Sequence, residues 1–132
     1  MKTPFRSFAA LAVLVALVMA IVPAAQAKSG TLIETALNGS AAFPGAHGKA
    51  KFKRDGGQRE FEAEFEDARR LAGQRVILFV GGNRVGTMLV NRFGTAHFSR
   101  NTELGQRVPF VARGTRVGVR TFGGTLVVSG RF

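Results

Sequence analysis

Eleven arginines and one acid, Glu103, are the charged residues between Ala68 and Phe132. A guanidinium is a planar fork of five donors that grips phosphate, sulfate or carboxylate oxygens in pairs, so the chemistry open to this half is anion binding. Arg84, Arg92, Arg113, Arg116, Arg120 and Arg131 fall at turns or at outward strand positions. Phe93, Phe122 and Phe110 lie at or beside turn tips with arginines close by. Charge beside an aromatic ring suits lipid head groups with their acyl chains, or single-stranded nucleic acid. In the competing reading these rings fold back as a satellite of the core.

Other chemistries lack parts. His47 and His97 are the only imidazoles, and a Ser-His-Asp set would have to join one of them to Asp55 or Asp67 with no serine in a nucleophile-elbow context. Without cysteine, and with two histidines far apart in the chain, zinc and copper sites are short of ligands. The row Glu60, Glu62, Glu64 and Glu66 offers carboxylates, but not the Asp, Asn and Gly loop that holds calcium. The chain reads as a non-enzymatic protein with no cofactor. Trp and Tyr, the usual platforms for sugars, are absent.

The scaffold is set by Lys49 to Glu66. Apolar residues alternate with charges on both sides of Gly56-Gly57, which marks a β-hairpin with one buried face. With the glycines as a type I′ turn, Lys53 faces Glu60, Phe52 faces Phe61, Lys51 faces Glu62, Ala50 faces Ala63 and Lys49 faces Glu64. A one-residue slip would drive lysines into the core.

The rest follows the same grammar. Thr31 to Leu37 is a first strand, Ala41 to His47 a loop around Phe43-Pro44-Gly45, and Asp67 to Gln74 a connector. Arg75 to Val80 is apolar on both faces and predicts a central strand covered on each side, or a strand at a sheet-sheet contact. It turns at Gly81-Gly82 or Gly82-Asn83 into Val85 to Val90, and Asn91 to Gly94 leads on to Thr95 to Ser99; these three strands are expected to form a meander. Arg100 to Phe110 is a loop. A last hairpin over Thr115 to Phe132, turning at Gly123-Gly124, sets Thr121 against Leu126, Arg120 beside Val127, Val119 against Val128, Val117 against Gly130 and Arg116 beside Arg131. Two facing arginines repel unless the glutamate row lies alongside, and the pattern leaves both arrangements open. Seven or eight short strands with Gly turns predict an all-β fold, a small antiparallel sandwich or barrel. Strands of five or six residues without aromatic girdles are too short for an outer-membrane barrel.

Met1 to Ala27 reads as an export signal: Lys2 and Arg6, an uncharged apolar run from Phe8 to Val22, then Ala25-Gln26-Ala27 as a cleavage site. Its removal would leave a single domain, Lys28 to Phe132, in the periplasm or outside the cell, with no membrane span. Without Lys2 and Arg6 there remain 17 Lys and Arg against 8 Asp and Glu. Lys28 to Asp67 is nearly balanced, with 6 basic and 7 acidic residues, so the excess sits in the C-terminal half. Such asymmetry attracts polyanions.

Three stretches resemble the ends and first hairpin of the chordin-type (CHRD) domain: Ala36-Leu37-Asn38-Gly39, Gly48-Lys49-Ala50-Lys51-Phe52, and Leu126-Val127-Val128-Ser129-Gly130-Arg131-Phe132. The family's central His-containing segment is replaced by Arg75 to Val90. The resemblance implies an exported, non-enzymatic β-sandwich module and carries over no site. The chain is also similar to small secreted bacterial proteins built of serial Gly-turn hairpins. The expected role is a binding module for an anionic envelope component (polysaccharide or lipid head group) or for a protein partner, with export and the lack of nucleic-acid aromatic motifs weighing against nucleic acid. The alternative is a structural, matrix or adhesion component assembling through strand edges.

Overall fold

The computed structural model describes residues 30–132 as eight antiparallel strands: Thr31–Gly39 (β1), His47–Asp55 (β2), Gln58–Glu66 (β3), Arg75–Val80 (β4), Asn83–Leu89 (β5), Ala96–Asn101 (β6), Arg116–Thr121 (β7) and Leu126–Arg131 (β8). Short 3-10 turns cover Arg69–Leu71 and Thr102–Leu104. The export signal expected over Met1 to Ala27 lies outside the described residues.

The β2–β3 register is the expected one at every pair, from Lys49 opposite Glu64 to Lys53 opposite Glu60. Its apolar row, Ala50, Phe52, Phe61, Ala63 and Phe65, is buried, and its charged row faces out with Lys49–Glu64 and Lys51–Glu62 each at 3.7 Å. Only Gly56 of the turn has a positive φ, 59°, which is the pattern of a type II′ turn rather than type I′. The I′ pattern occurs instead at Gly81-Gly82, with φ of 59° and 82°, which selects Val80 opposite Asn83 from the two registers open for β4–β5.

One sheet contains all eight strands, in the order β5-β4-β7-β8-β1-β2-β3-β6, curled into a nearly closed barrel. This order corrects the meander. β4 and β5 pair, but β6 pairs with β3, setting Ala63 beside Phe98 and Glu64 beside His97. The physical reason is that β3 is a nine-residue strand with a buried face, and its second edge has to be covered. β6 supplies that cover with its own buried row, Ala96 and Phe98. β5 and β6, the two ends of the sheet, meet across a seam without a ladder. There the Phe98 ring lies so close to Gly86 that a Cβ on the glycine would be 2.6 Å from it.

The interior is filled by Leu37, the β2–β3 row, Val76, Leu78, Val80, Met88, Phe98, Val117, Val119 and Val128. Phe61 is its centre, fully buried and edge-on to Phe98 and Phe132 with ring centroids 6.2 and 6.4 Å away. β4 is buried on its inner face, while its outer face is covered at Ile77, only 8% exposed, but left half-buried at Phe79 and exposed at Arg75. The last hairpin differs from expectation near its tip. Its connection is the three residues Phe122 to Gly124, closed by Thr121 N–H to Thr125 O, with Gly124 at φ 92°. A bulge then makes Val127 the extra residue, so Arg120 stands opposite Leu126, not Val127, and Thr121 opposite Thr125, not Leu126. Beyond the bulge, Val119–Val128, Val117–Gly130 and Arg116–Arg131 pair as expected.

Candidate anion-binding groove

β7 lies between β4 and β8, and its inward valines, Val117 and Val119, force Arg116, Gly118 and Arg120 to the outer face. The ladders then set Phe79 beside Gly118 on one side, and Arg131, Ser129 and Leu126 beside Arg116, Gly118 and Arg120 on the other. Because Gly118 has no side chain, the surface dips between these rows into an open groove of about 630 Å³. Its floor is Phe79, Gly118, Ser129 and Leu126, with Arg116 and Arg131 at one end and Arg120 at the other. From Arg116 to Arg120 along the strand is about 13 Å, at ~3.3 Å per residue.

The glutamate row does not neutralise these arginines. β3 is halfway round the barrel from β7, and its glutamates face the lysines of β2. Among the described residues the ion pairs within 4.0 Å involve His47, Lys49 and Lys51, and no arginine. Arg120 donates from Nη1 to the Gly124 carbonyl at 3.0 Å, which ties it back to the hairpin turn. Arg116 and Arg131 have no such tether among the described residues.

The six arginines singled out from the sequence are all exposed, but only three converge. Arg116, Arg120 and Arg131 line the groove. Arg84 on β5 reaches across β4 to Phe122 in the β7–β8 turn, its guanidinium carbon 5.7 Å from the ring centroid, so this pair flanks the groove. Arg92 stacks on Phe93, 4.7 Å away, in the β5–β6 connection and stands apart. Arg113 lies in the loop before β7, next to Gly114, whose N–H donates to the Phe132 carbonyl. Phe93, Phe110 and Phe122 do not fold back as satellite core: they are 58%, 64% and 60% exposed. Phe79, Gly118 and Leu126, the apolar floor, were not anticipated as site residues. Their signal was present in the outward alternation of β7 and β8, but it has meaning only once β4 is known to lie beside β7.

A second cluster closes the open end of the first hairpin. His47 Nε2 is 2.8 Å from Glu66 Oε1, and Nδ1 is 3.2 Å from the Gly45 carbonyl and 3.4 Å from Asp67 Oδ2. The Gly45 carbonyl, the hydrogen bond to Glu66 and the charges of Glu66 and Asp67 raise the imidazole pKa above its ordinary 6.5. Asp67 holds a left-handed φ of 62°, a conformation Asp tolerates better than most residues. The three groups come close enough to share a cation. Each ring nitrogen, however, faces a different carboxylate, and His97 stands on the β3–β6 ladder at Glu64, so the arrangement is that of a charged clasp. Extending the β2–β3 register by two residues beyond Lys49–Glu64 would have located it.

No protein-family model and no curated protein matches the chain.

Proposed function

We propose that this chain is an exported, non-enzymatic β-domain that binds an anionic component of the cell envelope through the β4–β7–β8 groove. One observation carries the reading: Arg116 and Arg131 face each other at the mouth of an apolar-floored groove, with no carboxylate within 4.0 Å of either guanidinium among the described residues. Facing guanidiniums cost stability unless an anion lies between them. The uneven charge of the chain favours the same face, and the proposed export over Met1 to Ala27 places it where phosphorylated and sulfated polymers and lipids are exposed. Assembly through strand edges has less support, since the β5 and β6 edges face each other across the seam.

The test is retention on immobilised heparin, a sulfated polyanion, as salt is raised. Binding at the Arg116–Arg131 mouth of the groove is expected to weaken steeply between low and physiological ionic strength, where the screening length falls from about 30 to 8 Å. It is also expected to fall further in Arg116→Ala than in Arg92→Ala. Salt-insensitive retention, or equal losses in the two variants, contradicts the proposal.

A further inference from the structure

We propose that the groove takes a single-chain anionic amphiphile, with a phosphate-class head between Arg116 and Arg131 and its alkyl chain along Gly118, Phe79 and Leu126. This rests on the anion-binding reading above and adds what lies between the charges. The cationic ends are not equivalent. Arg120 is already hydrogen-bonded to Gly124 O, whereas the Arg116–Arg131 pair offers two untethered forks on directly opposite residues, a match for one tetrahedral oxyanion.

A polymer carrying charge along its whole length would need cations or polar donors along the floor. The floor instead presents Phe79, Leu126 and the bare backbone of Gly118, with Ser129 as its one hydroxyl. Apolar surface between charged ends matches an alkyl chain leaving a charged head. The groove volume, about 630 Å³, also lies within the range of small-molecule sites. Gly118 makes the channel passable. A Cβ there would meet Leu126 Cδ1 at 3.6 Å, ordinary contact, so the fold accepts a side chain at that position while anything longer than Ala fills the groove.

The experiment is isothermal titration of the protein with dodecyl phosphate, kept below its micellar concentration, and with inorganic phosphate, alongside heparin retention. Wild type is expected to bind dodecyl phosphate about tenfold or more tighter than inorganic phosphate, the gain coming from chain burial. Gly118→Leu is expected to abolish that preference by bringing dodecyl phosphate down to the affinity of inorganic phosphate, and Gly118→Ala to keep most of it. Leu126→Gln, a change on the outer face, should lower dodecyl phosphate affinity alone and serves if Gly118→Leu does not fold. Arg131→Ala should weaken every ligand. Equal affinity of wild type for the two phosphates, or a preference untouched by both Gly118→Leu and Leu126→Gln, overturns the amphiphile assignment while heparin binding upholds the anion site. Failure of heparin and both phosphates to bind overturns the two together.

Discussion

Arg116 and Arg131 stand directly opposite each other on the β7–β8 ladder, two like charges where sheets ordinarily set unlike ones. The pair is a local instability kept at the mouth of the groove. Arg131→Glu turns it into an ion pair without disturbing the Arg131 carbonyl, which accepts the Thr35 hydroxyl at 2.8 Å. Urea unfolding is expected to show a gain of about 0.5–1 kcal/mol, and the same variant should elute from heparin at lower salt. A variant both less stable and still retained would show that the two guanidiniums do not repel and do not bind.

The clasp at His47 makes stability depend on pH. Its folded pKa is raised above the unfolded 6.5, so the stabilisation is fully present below pH 6.5 and is lost as pH rises through the folded value. Titration of the ring followed by NMR should give a midpoint above 6.5 in the native chain, and Glu66→Gln should lower it. An unchanged midpoint in Glu66→Gln would assign the shift to the Gly45 carbonyl and Asp67.

The seam predicts a route to association. Gly86→Val puts a branched side chain where a single Cβ is already 2.6 Å from the Phe98 ring, so β5 and β6 must part. Parted edges offer unpaired backbone groups to other chains. Sedimentation should show concentration-dependent oligomers in Gly86→Val at concentrations where wild type shows none. A variant as monomeric as wild type would mean that the seam does not guard the edges.

Phe61 tests the core. It is fully buried and meets two other rings, so Phe61→Ala is expected to cost about 3–5 kcal/mol in chemical denaturation, much of the total of a domain this small. A loss under about 1 kcal/mol would mean that Phe132 and Phe98 collapse into the space.

Much of the fold was legible because the information was local. The Lys49–Glu66 hairpin has matched charges outside, matched apolar residues inside and one turn, and a single register satisfies all three. The outward direction of Arg116, Arg120 and Arg131 followed from the same alternation. The placement of Thr95 to Ser99 did not, because a period of two says which face is buried and nothing about which neighbour is paired. The tip of the last hairpin was misread because Gly123-Gly124 looks like a two-residue turn, while the chain uses Phe122 as well and absorbs the difference in a bulge at Val127. The groove floor was the least legible part, since Phe79 and Leu126 are 47 residues apart and meet only through the β4–β7 and β7–β8 ladders.

The separation of β3 from β7 by half the circumference sets a self-compensated lysine–glutamate row on one side of the molecule and, on the other, three converging guanidiniums without an ion pair among the described residues. A tumbling particle of this kind feels a torque near any negatively charged layer and is turned face-first before it touches. Orientation at encounter is thus decided by the order in which the strands are laid round the barrel, ahead of any contact between individual atoms.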